Sequence, residues 1–215
     1  MKRNRPSEPG LSRRGFLALG ASAPVLWDAT ASCQPAPLPN ELRPEELQLE
    51  ITVNGTKHTL LVRPEQSLLE VLRDTLNLPS ARRGCENGSC GVCTQLLDGQ
   101  RVPACLVPAP CAHQKQVTTA EGLLQNGELG PLQHAFLQLD AVDCGYCTPG
   151  QLVAGQAILT ERWGDDPEEL RRALCGHRCA CGKQPQIVAA LGQVKRTNKS
   201  VGDKAAKVGD KPTRP

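Results

Sequence analysis

The sequence predicts an α+β fold in which a strand-rich half precedes a helical half. Alternating apolar and polar residues, broken by hairpin turn signals, run from Leu47 to about Glu121. Beyond that point the apolar residues recur at helical spacing. Cysteines gather in two groups, one in each half. We therefore expect one folded domain over 47–121 and a second over 122–194.

The N-terminal segment has the pattern of a twin-arginine export signal. Basic residues lead to Ser12-Arg13-Arg14-Gly15-Phe16-Leu17, an apolar run follows, and Ala29-Thr30-Ala31 supplies small residues at cleavage-site spacing. The apolar run is too short for a membrane-spanning helix, so no transmembrane span is expected. We predict a signal peptide over 1–31, a proline-rich linker over 32–46 and a periplasmic location. A lipid anchor on Cys33 is the less favoured alternative, because Thr30 stands where such signals usually carry Leu.

Two hairpins and one helix are predicted in the first half. Leu47–Val53 alternates, Asn54-Gly55 is the preferred two-residue turn, and the chain returns over 57–62. Ser67 begins a helix to about residue 76, with Glu70 completing a capping box. Asp98-Gly99 is a second turn signal between strands at 93–97 and 101–105, and residues 116–119 close the sheet. Two hairpins around one helix describe the β-grasp fold of ferredoxins.

The most specific chemical signal lies between that helix and the second hairpin. Cys85, Cys90 and Cys93 are separated by four and then two residues in a glycine-rich loop, and Cys105 follows after a short gap. This is the ligand spacing of a plant-type [2Fe–2S] cluster. Glycines there let backbone amides approach the sulfurs. A zinc knot or a disulfide cluster is the alternative, although structural zinc sites usually space their cysteines as two separated pairs.

Four short helices are predicted after Glu121, and together they make a four-helix bundle. The first helix is marked by apolar residues at helical spacing from Leu132 to Leu139. The other three are marked by start signals: Thr148-Pro149, a cap with proline at the first helical position, then Asp166-Pro167, and then Pro185. The basic tail over 195–215 lacks periodicity, so we expect it to be disordered.

A second cysteine group lies within the helical half. Cys144 and Cys147 form a Cys-x-x-Cys, and Cys179 and Cys181 form a Cys-x-Cys after one helix pair. Each pair stands just before a predicted helix start, where backbone amides favour a negatively charged cluster. Alone, the first pair could be a thiol redox pair. Together with a complete first set, the four thiols predict a second [2Fe–2S] site.

Charge and cysteine usage exclude some classes of function. The net charge of +3 is concentrated at the two ends of the chain, so the middle is mildly acidic, which argues against nucleic acid binding by the folded part. The eleven cysteines are odd in number and spaced like metal ligands rather than like a disulfide framework.

These motifs resemble those of the iron–sulfur subunit of the molybdenum hydroxylases, the xanthine dehydrogenase and aldehyde oxidoreductase family. The resemblance covers roughly residues 47–191. It rests on Gly84-Cys85-Glu86-Asn87-Gly88-Ser89-Cys90-Gly91-Val92-Cys93-Thr94, Cys105-Leu106-Val107-Pro108, Cys144-Gly145-Tyr146-Cys147-Thr148-Pro149-Gly150-Gln151 and Cys179-Ala180-Cys181-Gly182.

The resemblance implies a relay role inside a larger oxidoreductase. A large subunit would hold a molybdenum–pterin cofactor and oxidise an aldehyde or N-heterocycle, and this chain would carry the electrons through two [2Fe–2S] clusters. By family likeness Cys147 would contact the pterin, so the helical-domain cluster would be reduced first. The ferredoxin-type cluster would then reduce an FAD-binding subunit or a cytochrome c. No substrate chemistry is expected in this chain. The alternatives are a free-standing exported ferredoxin and an interaction module stabilised by disulfides or zinc.

Some residues depart from the family pattern or stand outside it. Asp143 replaces the usual Gln, and Ala180 replaces the usual Arg; both spare the ligands. We expect Cys111 to be a buried apolar thiol and Cys175 not to be a ligand. The adjacent arginines at 82 and 83 would offset cluster charge, contact an acceptor or form a solvated edge.

Overall fold

The computed structural model describes residues 46–208, with side chains to residue 198. The predicted signal peptide, nearly all of the predicted linker, and residues 209–215 lie outside the described residues. Within the described part, no helix combines the length and the apolar character that crossing a bilayer requires.

A five-stranded sheet forms the first half of the described chain. Its strands are β1 (Leu47–Val53), β2 (Thr56–Val62), β3 (Thr94–Leu97), β4 (Gln100–Pro103) and β5 (Gln116–Thr118), in the spatial order β2-β1-β5-β3-β4. Strand β1 is antiparallel to β2 and parallel to β5, and β3 is antiparallel to β4 and to β5. Both predicted turns are present. Asn54 and Asp98 each have φ 50°, and a glycine with positive φ follows each of them, as this type of hairpin turn requires.

One helix packs on the sheet and has the predicted capping box. The backbone N–H of Ser67 donates to Glu70 Oε2 (2.7 Å), and the N–H of Glu70 donates to Ser67 Oγ (3.2 Å). Helix α1 (Leu68–Glu70) continues as a π-helical turn over Val71–Thr75, which the sequence did not predict. Its apolar residues are buried in the core of this half, so the α+β arrangement of two hairpins and a helix is confirmed.

Four helices make up the second half, as predicted. They are α2 (Pro131–Gln138), α3 (Thr148–Thr160), α4 (Pro167–Ala173) and α5 (Gln184–Val208). Phe136, Ile158, Leu170 and Leu191 are almost fully buried in their common core. A smaller cluster of Leu96 on β3 with Val153 and Ala157 on α3 joins this core to the sheet.

Two helix boundaries in the second half differ from the sequence prediction. Helix α3 begins at Thr148 with Cys147 as its N-cap, so Thr148 is not the cap. Helix α5 continues to Val208, whereas the sequence predicted a disordered tail from Lys195. The physical reason is that the buried segment up to Val194 starts the helix, and extending a helix that is already nucleated costs little per residue.

Candidate metal centres

The first thiol set lies where one loop and one hairpin end meet. Cys85 and Cys90 belong to the loop between α1 and β3, and Cys93 directly precedes β3. Cys105 lies in a 3₁₀ turn that follows β4. Since Thr94 pairs with Pro103, the antiparallel hairpin brings Cys93 next to that turn, and the N–H of Ala104 donates to the carbonyl of Cys93 (3.3 Å).

The loop around the first set is shaped by backbone rather than by side chains. The N–H of Ser89 donates to Cys85 Sγ (3.2 Å), and the N–H of Cys85 donates to Cys90 Sγ (3.4 Å). A Cβ on Gly84 would lie 2.7 Å from Cys90 Sγ, so that position has no space for a side chain. Gly88 has φ +78°, in the left-handed region that glycine tolerates. The loop thus directs amides toward sulfur, as a negatively charged cluster requires.

The pKa values of these thiols diverge because their hydrogen bonds and their burial differ. Hydrogen bonds, the largest from Ser89, lower the pKa of Cys85 to about 6. Burial raises the pKa of Cys93 to about 12, and the neighbouring thiols of Cys105 and Cys90 add to this effect. Neighbouring thiolates repel one another, so full ionisation of the set requires a compensating cation.

The second thiol set lies at the starts of two helices. Cys144 and Cys147 precede α3, and Cys179 and Cys181 precede α5. Cys147 and Cys179 are half-buried, whereas Cys144 and Cys181 are exposed. A backbone hydrogen bond from Tyr146 lowers the pKa of Cys144. Burial raises the pKa of Cys147 to about 12, and the neighbouring Cys179 thiol adds to it.

The donor chemistry of both sets fits a two-iron cluster. A [2Fe–2S] cluster takes four thiolates, two on each iron, and each set supplies four thiols, with neighbours that interact, such as Cys93 with Cys105 and Cys147 with Cys179. All ten cysteines of the described part are free thiols. Within that part, no three His, Cys, Asp or Glu side chains are grouped as ligands of a single metal ion.

The two thiol sets face each other across a short distance. The N–H of Arg178, next to Cys179, donates to the carbonyl of Cys90 (3.0 Å). A cavity of about 360 Å³ is lined by cysteines of both sets, namely Cys85, Cys90, Cys144, Cys147 and Cys179. The two candidate centres are therefore joined by a backbone hydrogen bond and line a common cavity.

The contacts of three residues that hold the sets together could not be identified from the sequence. Arg82 donates to the carbonyl of Gly145 (3.0 Å) and lies 5.3 Å from the ring centroid of Tyr146, so it holds the second loop by a hydrogen bond and a cation–π contact. The hydroxyl of Tyr146 donates to the carbonyl of Arg83. His177, whose pKa is lowered by burial, shares a hydrogen bond with Thr94 (Nε2 to Oγ1, 3.0 Å). Pairing between residues so far apart in sequence leaves no local signal.

Other expectations about individual residues are corrected or completed by the structure. Cys111 is exposed rather than buried, because the 3₁₀ turn Ala109–Ala112 points its alanines inward. Arg83 is engaged by Asp74 (2.5 Å) and Glu86 (3.0 Å), so it is part of a surface ion-pair network. Cys175 is an exposed free thiol.

Fold and site together define an iron–sulfur protein with one ferredoxin-type and one helical cluster-binding domain. The family model of the 2Fe-2S iron-sulfur cluster binding domain matches residues 51–121, and that of the [2Fe-2S] binding domain matches residues 119–192.

Named relatives identify the family. The aldehyde oxidoreductase iron-sulfur-binding subunit PaoA of Escherichia coli is 34% identical over 209 residues, which are 88% of this chain and 90% of that subunit. The xanthine dehydrogenase iron-sulfur-binding subunit of Escherichia coli O157:H7 is 36% identical over 156 residues, 71% of this chain and 97% of that one. The crystal structure of quinoline 2-oxidoreductase from Pseudomonas putida 86 superposes with a TM-score of 0.65 at 32% identity, covering 71% of this chain and 98% of that chain. The chain therefore belongs to the iron–sulfur subunits of the molybdenum hydroxylases.

Proposed function

We propose that this chain is the electron relay of an exported molybdenum hydroxylase. The observation that carries the proposal is the pair of four-thiol sets joined by the hydrogen bond from the Arg178 N–H to the Cys90 carbonyl. Each bound [2Fe–2S] cluster would accept and release one electron. The chain's own residues would fix the clusters in position and hold them close enough for electrons to pass between them.

The direction that we propose for the relay runs from the helical set to the ferredoxin-type set. Cys144 and Cys181 are exposed, so a large subunit carrying the molybdenum–pterin cofactor can approach the helical set, with Cys147 as the expected pterin contact. The ferredoxin-type set would pass electrons to an FAD-binding subunit or a cytochrome c. An aldehyde or an N-heterocycle would be oxidised in the large subunit, as the names of the relatives suggest.

Export to the periplasm is the second part of the proposal. It rests on Arg13-Arg14 and the apolar run after them, which lie outside the described residues. The twin-arginine route transports folded proteins, so both clusters could be inserted before export. Fusion of residues 1–45 to a folded reporter should place the reporter in the periplasm, and replacing Arg13 and Arg14 by lysines should retain it in the cytoplasm.

Iron analysis and ligand variants test the relay directly. Purified protein should contain about four irons and give two [2Fe–2S] signals by electron paramagnetic resonance after reduction. Cys105→Ser should lose the ferredoxin-type signal alone, and Cys179→Ser should lose the other. Cys111→Ser and Cys175→Ser are matched controls with exposed thiols and should keep both signals.

Two outcomes would contradict this proposal in different ways. Colourless protein containing zinc or disulfides would support an interaction module instead. Protein with both clusters that copurifies with no molybdenum-containing subunit would support a free-standing ferredoxin.

A further inference from the structure

The two cluster-binding halves touch through backbone at Gly91 and Gly150. Gly91 lies between the ligands Cys90 and Cys93, and Gly150 lies in the first turn of α3, three residues after Cys147. A Cβ on Gly150 would lie 2.3 Å from the carbonyl oxygen of Gly91 and 2.7 Å from that of Val92. Both neighbours are backbone atoms, so neither can move aside by a side-chain rotation.

Gly91 also lies close to a second segment of the helical half. A Cβ there would lie 2.7 Å from the carbonyl oxygen of Gly176 and 2.9 Å from the Cα of His177. The Gly91 peptide is therefore enclosed between the first turn of α3 and the 176–177 loop. The first turn of α3 directly follows Cys144 and Cys147, and the 176–177 loop directly precedes Cys179 and Cys181.

Two hydrogen bonds hold this contact together. The N–H of Arg178 donates to the carbonyl of Cys90 (3.0 Å), and Thr94 Oγ1 is hydrogen-bonded to His177 Nε2 (3.0 Å). Thr94 is buried, so its bond is shielded from water. The contact is therefore held by directional hydrogen bonds as well as by close packing.

We propose that Gly150 is a positioning residue that sets the distance between the two clusters, an inference that rests on the proposed function. Electron transfer weakens steeply with distance, and the absent Cβ lets the helix start that follows Cys147 lie against the backbone between Cys90 and Cys93. Adding a methyl group forces the two backbones apart by about 1 Å before the contact becomes ordinary. The two clusters would move apart with them.

Gly150→Ala, compared with Gly155→Ala, tests this inference. Gly155 lies on the same helix, and the atoms nearest to its added Cβ would be side-chain carbons of Leu132 and Leu191, the closest at 3.0 Å. Both variants replace a glycine of α3 by alanine, the better helix former. We expect Gly150→Ala to retain both cluster signals with unchanged g-values, to show weaker magnetic coupling between the two reduced clusters, and to transfer electrons between them several-fold more slowly. Gly155→Ala should match the wild type in both measurements.

Wild-type coupling and rate in Gly150→Ala would overturn the inference. Should that variant take up no clusters, Thr94→Val decides, because it removes the bond to His177 without adding bulk at the contact. Weaker coupling in Thr94→Val supports the inference, and unchanged coupling overturns it. Wild-type protein lacking two [2Fe–2S] signals would instead refute the proposed function, so the two failures are distinguishable.

Discussion

Replacing Arg101 by methionine should remove an interaction that holds the sheet to the helical half and so lower the free energy of unfolding. Arg101 on β4 donates from Nη1 to the carbonyl of Ala173 (2.8 Å), the last residue of α4, and from Nη2 to Glu161 Oε2 (3.1 Å). Its side chain is 23% exposed. The carbonyls at a helix C-terminus lack helical partners, so a cation there both satisfies one of them and complements the helix dipole.

The expected loss can be worked out from these two bonds. A hydrogen bond from a charged donor contributes about 1.5–3 kcal/mol. The ion pair adds only about 0–1 kcal/mol because Glu161 is 36% exposed. Glu161 also keeps its bond from Trp163 Nε1 (2.6 Å), so no carboxylate is left unpaired. We expect the free energy of unfolding to fall by about 2–3 kcal/mol, which lowers the Tm by about 4–12 °C.

Thermal unfolding of the cluster-loaded protein, followed by circular dichroism, measures this change. Arg63→Met is the matched control: Arg63 also forms an ion pair, with Glu65 at 2.9 Å, but the two side chains are 55% and 59% exposed. That pair should contribute at most about 1 kcal/mol. A Tm shift for Arg101→Met no larger than that of Arg63→Met would refute the assignment of Arg101 as a tie between the two halves.

Three further predictions concern single side chains. Asn54→Ala should lower the free energy of unfolding, measured with denaturant, by about 2–3 kcal/mol, because it removes two hydrogen bonds with Thr119 (both 2.9 Å) and leaves alanine at φ +50°. A smaller loss than that caused by an alanine substitution at an exposed position would contradict this prediction. Asp166→Ala should cost about 1 kcal/mol, because the carboxylate caps α4 by accepting from two backbone amides (3.0 and 3.1 Å), and Asp166→Asn should restore most of it. Burial acts to raise the pKa of Glu121, but hydrogen bonds from Ser80 and Thr119 outweigh it and leave the pKa below the ordinary 4.5. The stability that results is present above pH 4.5 and is lost as the pH falls through the lower pKa of the folded state. Glu121→Gln should therefore reduce the acid sensitivity of unfolding, and an unchanged dependence of unfolding on pH would contradict this assignment.

Local sequence chemistry was enough to place much of the fold. The two hairpins were predictable because Asn-Gly and Asp-Gly tolerate the positive φ values that tight turns need. The helix at Ser67 was predictable because Ser and Glu three residues apart satisfy each other's amides. Each of these signals is complete within a few residues, so it does not depend on the rest of the fold.

What could not be predicted depends on residues that are distant in sequence. From the sequence alone, Arg82 is compatible with a solvent-exposed position, and only the fold shows that it contacts Gly145 and Tyr146. Cys111 has an apolar thiol, but the direction of a short 3₁₀ turn decides its exposure. Gly150 is one glycine among twenty in the sequence, and only the position of the Gly91 carbonyl gives it a role. A single sequence specifies such pairings only through the folded structure.

The contact between the two thiol sets is made largely by backbone. The groups that meet are the carbonyls of Cys90, Gly91 and Gly176 and the N–H of Arg178. The side chain of Ala180 is not among these groups, because each of them is a main-chain atom of another residue. Side chains around the clusters can therefore vary and tune potential or partner contacts, since hydrogen bonds and nearby charge act on the cluster without moving it. The glycines that admit the backbone contact cannot vary in the same way, because any Cβ at Gly150 occupies the space of a carbonyl oxygen.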